Sequence, residues 1–193
     1  MQVCFASNNK NKHKEIQAIF GDSISIVSLT DVGCTEEVPE TQVTIEGNAE
    51  QKAAYVFGNY HIACFADDTG LEVDALNGEP GVFSARYAGP QRNSEDNMAL
   101  LLKKLGDNAN RKARFKTVIT YIDSQERITF TGIIEGMITN SPRGTQGFGY
   151  DPIFIPDGST KTFGEMSLEE KNVFSHRAKA TAQLVSFLKE RFR

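Results

Sequence analysis

The chain has 193 residues, of which 39% are apolar and 24% are charged, and its 25 acidic side chains against 21 lysines and arginines leave a net charge of −4. A chain of this length is typical of one globular domain or of two closely packed lobes, and it buries about 70% of its extended surface without needing disulfides or structural metal. The acidic balance excludes a broad basic surface for DNA or RNA, but it does not exclude a local cluster for a small anion.

Three cysteines, Cys4, Cys34 and Cys64, are odd in number and widely spaced. Because they form neither a C-x-x-C pair nor a His/Cys cluster, we predict reduced thiols in a cytoplasmic protein. The N-terminus lacks the positive start and apolar core of a signal peptide, and no run approaches membrane-spanning length. We therefore expect no targeting segment and no contact with a membrane.

The first half of the chain alternates apolar runs with helical patterns. Residues 3–5 predict a strand, which a polar loop joins to a helix with Ile16, Ile19 and Phe20 at helical spacing. A second apolar run at 24–29 leads through an acidic loop, containing Glu36, Glu37 and Glu40, into a helix over 45–60. Residues 61–66 predict a strand that ends at 67–70, and a further strand follows before a tight turn at Asn77-Gly78.

The second half begins with a predicted turn at Pro80-Gly81 and a helix that Ser94 caps and Gly106 ends. Residues 114–121 and 128–138 alternate as an antiparallel hairpin does, and a loop with Gly144, Gly147 and Gly149 precedes a last strand at 153–155. Ser167 to Glu170 fits a capping box that opens a C-terminal helical region. We predict an α/β fold with a mixed central sheet and flanking helices, in one domain over residues 1–193 without a separable linker.

Two polar segments carry candidate chemistry in the first half. Ser7 to Lys12 lies between a strand and a helix, where backbone N–H groups and the helix dipole favour a phosphate, although an ordinary Asn-rich cap explains the same residues. Asp67 and Asp68 are adjacent carboxylates that could hold a hard cation and orient a water, or could simply form a turn. Asp68-Thr69-Gly70 also matches the aspartic-protease triplet, but a single triplet on an α/β pattern argues against that class.

Two more segments lie in the second half. In Gly147 to Pro152 the glycines permit close backbone approach, and Phe148 or Tyr150 offers a ring on which a base could stack; many strand-entry turns look alike. Lys171, His176 and Arg177 supply donors, and the last two can face one ligand only if a helix begins or bends there, since they diverge by about 100° on an ideal helix. A solvated basic helix face is the alternative.

Together these segments resemble five ordered motifs of the inosine triphosphate or dITP/XTP pyrophosphatases, a family acting on non-canonical purine nucleoside triphosphates. Residues 7–12 are similar to its [ST]-x-N-x-x-K loop and residues 48–53 to its N-A-x-x-K-A helix. Residues 66–71 match A-D-D-[ST]-G-L, and 80–87 continue that resemblance. Residues 147–152 match G-F-G-Y-D-P, and 170–177 match E-K-x-x-x-S-H-R.

The resemblance implies Mg²⁺-dependent hydrolysis of ITP, dITP and XTP to the monophosphate and pyrophosphate, by a two-lobed homodimer with the active site in the cleft between the lobes. It implies that Asp68 is the catalytic carboxylate and a metal ligand. Glu40 fits best as the second metal carboxylate, with Glu36 and Glu37 as alternatives. Substrate binding is implied for a larger set: Ser7, Asn8, Asn9, Lys10, Asn11, Lys12, Lys52, Thr69, Phe148, Gly149, Tyr150, Asp151, Lys171, His176 and Arg177.

Two other classes of function would use the same pocket. A nucleotide-sensing module would bind without chemistry, and a metal phosphatase would release orthophosphate from varied esters. The presence of both Asp68 and the acidic loop favours an enzyme over a degenerate binding module.

Overall fold

The computed structural model describes residues 2–20 and 24–192. In this part of the chain the strands are β1 (Gln2–Phe5), β2 (Ser25–Val27), β3 (Cys64–Val73), β4 (Pro80–Gly81), β5 (Lys112–Ile122), β6 (Arg127–Ile138) and β7 (Phe154–Pro156). The α-helices are α1 (Lys10–Phe20), α2 (Ile45–Tyr60), α3 (Ser94–Leu105), α4 (Leu168–Phe174) and α5 (His176–Arg191). Parallel and antiparallel strand pairs both occur, which confirms the mixed α/β class.

The chain divides into two compact units, as expected for two lobes. The first unit comprises the residues up to Asp68, Thr117–Gly132 and the residues from Arg177 onward. The second comprises Thr69–Lys116 and Ile133–His176. Strands β3, β5 and β6 therefore contribute residues to both units.

The first unit is built around β1, which pairs in parallel with β2 on one side and with β3 on the other. Parallel strands are typically covered by other elements on both faces of the sheet. The side chains of β1 point alternately to the two faces and show that this holds here. Val3 and Phe5 pack in a core with residues of α1 and α5, whereas Cys4 and Ala6 pack in a second core with residues of α2. Helices thus cover both faces of this unit's strands.

All three cysteines of the sequence lie in the core on the α2 side of the first unit. Each is a free, buried thiol, which confirms the prediction of reduced cysteines. Burial raises the pKa of Cys4 to about 12 and that of Cys64 to about 12. Thiolates are the reactive form of cysteine, so these side chains behave as small apolar residues.

The second unit packs α3 against a core that antiparallel strand pairs help to form. Here β3 pairs antiparallel with β4, and β6 pairs antiparallel with β7. Its core contains Leu101 and Leu105 from α3 together with the aromatic side chains of Phe115, Phe154 and Phe163. The rings of Phe115 and Phe154 meet edge to face, 4.7 Å apart at their centroids.

Several predicted boundaries are wrong by small amounts. Asn93, not Ser94, caps α3, because its side-chain oxygen accepts the Asp96 N–H. Lys10 to Lys12 form the first turn of α1 instead of the loop before it. Residues 61–63 are not strand: His61 ends α2 in a left-handed conformation.

Pro80 and Gly81 form β4 and not a turn, whereas Asn77 and Gly78 make the predicted turn with φ of +53° and +86°.

The largest departure is that no turn interrupts the chain at residues 67–70. Strand β3 runs unbroken from Cys64 to Val73 through the two aspartates. Successive side chains of a strand point to opposite faces, so Asp67 and Asp68 enter different surroundings. Their individual partners, described below, replace the turn hydrogen bonds that Asp residues usually make.

The C-terminal helical region confirms two predictions. Ser167 and Glu170 form the capping box that opens α4, with each side chain accepting the other residue's backbone N–H. The helix then stops at Ser175, whose backbone is extended, and α5 begins at His176. A helix start at this position is the condition that the sequence set for His176 and Arg177 to serve one ligand.

Candidate active site

The segment before α1 is organised by its own side chains. Asn9 caps the helix, since its side-chain oxygen accepts the N–H groups of Asn11 and Lys12. The Ser7 hydroxyl accepts the Asn9 N–H at 3.2 Å. The first turn of α1 contains no acidic residue, and its positive dipole end therefore remains suitable for a phosphate. The cap and the phosphate site, which the sequence offered as alternatives, are compatible here.

Asp67 is fully buried and is held by two cations. Lys12 donates to its Oδ1 at 2.9 Å, and the Arg177 Nε donates to its Oδ2 at 3.1 Å. Burial opposes ionisation of Asp67, but Lys12, Arg177 and Lys52 outweigh it and hold the pKa of Asp67 well below its ordinary value. Asp67 is therefore committed to these cations, so the sequence-based picture of two adjacent carboxylates on one metal does not hold.

Arg177 is itself buried, with 1% of its surface exposed, and its Nη1 pairs with Glu15 of α1. It thus bridges two carboxylates that lie on different elements. The resemblance implied that Arg177 binds the substrate, and the structure places this residue in a buried network of ion pairs. Its pairing with Glu15 and Asp67 fixes its position in the first unit.

Asp68 lies on the other side of β3, where two residues of α2 meet it. Asn48 donates to its Oδ2 at 3.3 Å, and the Lys52 Nζ lies 3.6 Å from its Oδ1. Lys52 also donates to Glu40 at 2.7 Å. Burial raises the pKa of Asp68, and Lys52 and Lys12 offset part of that rise. Such a carboxylate is more basic than an exposed one and suits a general base.

These side chains form two groups of ion pairs in the first unit, which meet at the neighbouring residues Asp67 and Asp68 and are together called the ionic cluster: Lys12, Glu15, Asp67 and Arg177 in one group, and Glu40, Lys52 and Asp68 in the other. The cluster joins three cations to four carboxylates, so it carries one excess negative charge. Glu40 and Asp68 retain exposed side-chain fractions of 30% and 13%. The accessible part of the cluster is therefore acidic.

The structure separates Glu40 from its alternatives as a metal ligand. Glu36 is engaged elsewhere, because its Oε1 accepts the hydroxyls of Tyr60 at 2.6 Å and of Tyr55 at 3.0 Å. Glu37 is exposed on the same loop. Glu40, by contrast, meets the same lysine as Asp68, which favours it as the second carboxylate.

The hydrogen bonds of Glu36 lead to a testable pH dependence of stability. The Tyr60 hydroxyl, backbone N–H groups and the Tyr55 hydroxyl lower the pKa of Glu36 from 4.5 to about 2. A carboxyl whose pKa is lower in the folded state stabilises the fold above its unfolded pKa and loses that effect as pH falls. Glu36→Gln should therefore lower the Tm near neutral pH, and the difference from wild type should shrink between pH 4.5 and 2. Glu37→Gln controls for the charge change, and a Tm difference that is constant with pH would contradict the assignment.

Among the described residues there is no group of three or more His, Cys, Asp or Glu side chains arranged for a metal. Mg²⁺ is commonly bound by one or two carboxylates and completes its coordination with water and substrate phosphates. Glu40 and Asp68 converge on one ammonium group and are both partly accessible. Their hard oxygen donors and the excess negative charge of the cluster fit such a cation.

The second unit holds a separate arrangement around Asp151. Lys171 donates to the Asp151 Oδ2 at 2.6 Å, and the same oxygen accepts the Phe148 N–H at 2.8 Å. Both ionic side chains are almost fully buried. A Cβ at Gly147 would come within 2.0 Å of that oxygen, so only glycine fits there. The Asp151 carboxylate thus fixes the loop that carries Phe148.

The other predicted site residues of this region differ from one another in their burial and contacts. The Tyr150 ring is buried and its hydroxyl donates to the Ser84 carbonyl at 2.9 Å, so Phe148 remains as the ring that could stack on a base. Phe148 is half-buried, and the Lys171 Nζ lies 5.1 Å from its centroid. His176 stacks on Phe115 at 4.6 Å. Gly149 and Thr69 are half-buried.

Two residues of the first unit that contact the ionic side chains, Glu15 and Asn48, were not among the predicted site residues. Glu15 lies three positions after Lys12 on α1, and Asn48 lies four positions before Lys52 on α2. Residues three or four apart share a helix face, so this spacing was the available signal. Gln51 lies on the same side of α2 and exchanges hydrogen bonds with Thr41 in the acidic loop.

Comparison with known proteins gives the chain relatives over nearly its full length. The Ham1 family model matches residues 3–187. The dITP/XTP pyrophosphatase of Flavobacterium johnsoniae is 58% identical over 97% of this chain and 98% of that protein. The dITP/XTP pyrophosphatase of Porphyromonas gingivalis is 50% identical over 97% of both chains.

Solved structures agree with these sequence matches. A Staphylococcus aureus Ham1 protein is similar with a TM-score of 0.90 and 38% identity, covering 99% of this chain and 100% of that one. A nucleoside-triphosphatase / dITP/XTP pyrophosphatase from Mycobacterium abscessus is similar with a TM-score of 0.78 and 42% identity, covering 95% of this chain and 98% of that one. The similarity thus extends to the fold.

Proposed function

The chain belongs to the Ham1 family, and from this premise we propose that it hydrolyses ITP, dITP and XTP to the nucleoside monophosphate and pyrophosphate, with Mg²⁺ as cofactor. Two curated relatives at 50% identity or more are named dITP/XTP pyrophosphatase. The activity would remove altered purine nucleotides from the nucleotide pool.

The observation that carries the proposal is the meeting of Glu40 and Asp68 on the Lys52 ammonium group. With one excess negative charge, the ionic cluster by itself would repel a triphosphate. A divalent cation bound by Glu40 and Asp68 would reverse that sign and leave Lys12 and Lys52 to attract phosphate oxygens. When bound, Mg²⁺ would neutralise phosphate charge and orient a water.

In the reaction, a water would attack the α-phosphorus and pyrophosphate would leave. Asp68 would orient this water and accept its proton, a role that its burial and raised pKa support. Lys12 and Lys52 would balance the negative charge that grows on the leaving pyrophosphate. Residues Ser7 to Lys12 lie at the positive dipole end of α1 and would hold phosphate oxygens through their polar and charged side chains. Positioning and charge stabilisation account for most of what phosphoryl transfer needs.

Recognition of the base is proposed for Phe148, Lys171 and His176 of the second unit, with Asp151 holding the loop. Hypoxanthine and xanthine carry a keto oxygen at the purine 6-position, where adenine carries an amino group. Donors from His176 or backbone N–H groups would be satisfied by the keto oxygen and left unpaired by adenine. A buried mismatch of this kind can discriminate by about 10⁴-fold.

We further propose a homodimer in the cytoplasm that binds no nucleic acid. The three free thiols support a reducing compartment, and the net charge of −4 disfavours a polyanionic partner. Two apolar side chains on β6, Ile133 and Met137, are 39% and 51% exposed and offer a surface for a second copy. In residues 2–20 and 24–192, no helix has the length and apolar character needed to cross a membrane.

The function is tested by incubating the protein with ITP, dITP, XTP, ATP or GTP, with Mg²⁺ or with EDTA, and identifying the products. We expect pyrophosphate and the monophosphate from ITP, dITP and XTP, little from ATP, and none in EDTA. Orthophosphate as the first product would instead indicate a phosphatase. Binding of ITP without turnover would indicate a sensing module.

A further inference from the structure

We propose that Asn48 is a positioning residue of this reaction: its side-chain amide ties the Asp68 carboxylate to the loop that carries Glu40. The inference rests on the proposed function, because it assigns Asn48 a part in the chemistry of Asp68. Asn48 itself would contact neither the substrate nor the metal.

The Asn48 amide is used on both sides. Its Nδ2 donates to the Asp68 Oδ2 at 3.3 Å, and its Oδ1 accepts the Gln42 N–H at 2.9 Å. Its residue surface is 1% exposed, so water does not compete for these hydrogen bonds. One buried side chain therefore connects the catalytic strand β3 with the chain two residues after Glu40.

Asn48 and Lys52 both hold the Asp68 carboxylate in place. They are four residues apart on α2 and thus lie on one helix face. Asn48 meets Oδ2 of Asp68, while Lys52 meets Oδ1 at 3.6 Å. A carboxylate held at both oxygens has one orientation. Without the amide, the 3.6 Å contact with Lys52 would be the remaining hold of α2 on Asp68, and the carboxylate plane could rotate.

The acidic loop is built to lie against α2 at this point. A Cβ at Gly47 would come within 2.9 Å of the Gln42 Cβ, so the loop approaches the helix as closely as glycine permits. Gln51 adds a second clamp, because it accepts the Thr41 N–H at 2.9 Å and donates to the Thr41 hydroxyl at 2.8 Å. Both clamps hold the loop, but only the Asn48 clamp includes Asp68 among the hydrogen bonds found in the described chain.

This arrangement matters for the proposed cation. Glu40 and Asp68 come from a loop and a strand that are distant in sequence, and their separation decides whether one cation can reach both. Residues that hold metal-binding side chains in place typically contribute 10–100-fold to metal affinity or activity. Asn48 fixes both sides of the pair at once, because it contacts one carboxylate directly and the loop of the other.

The test compares Asn48→Ala, the isosteric Asn48→Asp and the control Gln51→Ala. Asn48→Asp can still accept the Gln42 N–H but presents an oxygen to Asp68 in place of the donor. We expect both Asn48 variants to lose about 10–100-fold in kcat for dITP with a much smaller change in KM, and Asn48→Ala, which adds no charge, to bind Mn²⁺ correspondingly more weakly by calorimetry. Gln51→Ala should stay close to wild type in both measurements.

The proposal is overturned if Asn48→Ala, folded by circular dichroism, keeps wild-type kcat and Mn²⁺ affinity, or if folded Asn48→Asp keeps wild-type kcat. It is also overturned if Gln51→Ala loses as much as the Asn48 variants, since the effect would then belong to the loop clamp. The calorimetric measurement needs no turnover. A wild-type protein that fails to hydrolyse dITP would therefore refute the proposed function and still leave the part of Asn48 in cation binding to be decided by Mn²⁺ affinity.

Discussion

Asp68→Asn is expected to lose about 10²–10⁴-fold in turnover of dITP, the range over which a general base contributes to an enzymatic rate. The amide cannot accept the proton of the attacking water, and it is a poorer cation ligand than a carboxylate. Initial-rate assays that detect pyrophosphate measure the effect.

The same substitution should leave the fold intact. Burial raises the pKa of Asp68, which shows that its ionised form is held at a cost, and asparagine removes that charge without changing the volume. Lys52 keeps Glu40 as its partner at 2.7 Å. Urea denaturation should give a free energy of unfolding equal to or above the wild-type value. Full turnover in Asp68→Asn would refute the assignment of Asp68 as the base.

Asp67→Asn changes the residue before Asp68 and should have the opposite effect on stability, because it should lower the free energy of unfolding. It leaves Lys12 and Arg177 facing a neutral amide in a place that water does not reach. Removing one partner of a buried ion pair typically costs about 3–5 kcal/mol. Because the pKa of Asp67 is lowered in the folded state, its contribution is present above the ordinary value of 3.8 and is lost as the pH falls below it. The difference in the free energy of unfolding between Asp67→Asn and the wild type should therefore become smaller in acid.

Glu50→Gln supplies the matched control for Asp67→Asn. Glu50 pairs with Arg127 at 2.7 Å in the same unit, but both side chains are more than half exposed. Exposed pairs of this kind contribute about 0–1 kcal/mol. If urea denaturation gave Asp67→Asn the same small loss as Glu50→Gln, the buried network would not stabilise the first unit as its geometry indicates.

The two aspartates also show where sequence reasoning succeeds and where it stops. Local patterns predicted α2, the β5–β6 hairpin and the capping box that opens α4, because periodicity and caps depend on neighbouring residues. The same local view predicted a turn at Asp67-Asp68, where the residue types favour one. The structure keeps a strand there because each carboxylate has distant partners: Arg177 lies 110 positions from Asp67.

The sequence likewise predicted which residues belong to the candidate site better than it predicted the contacts that those residues make. Lys52, Asp68 and Glu40 do meet in the first unit, and Lys12 pairs with the neighbouring Asp67. The sequence did not reveal that Arg177 would be buried against Glu15, or that Tyr150 would turn its hydroxyl to Ser84. Such pairings depend on which faces pack together after folding, and spacing along one chain does not specify them.

The gathering of the cysteines gives the chain an internal reporter. All three thiols of the sequence lie in one core of the first unit, and the second unit has none. A thiol-alkylating reagent needs access to the sulfur atom, and the folded first unit buries all three thiols. Alkylation of the native protein would therefore proceed only as fast as this unit opens, and opening confined to the second unit would pass unrecorded. The distribution of three sulfur atoms thus lets the stability of one unit be followed without introducing a label.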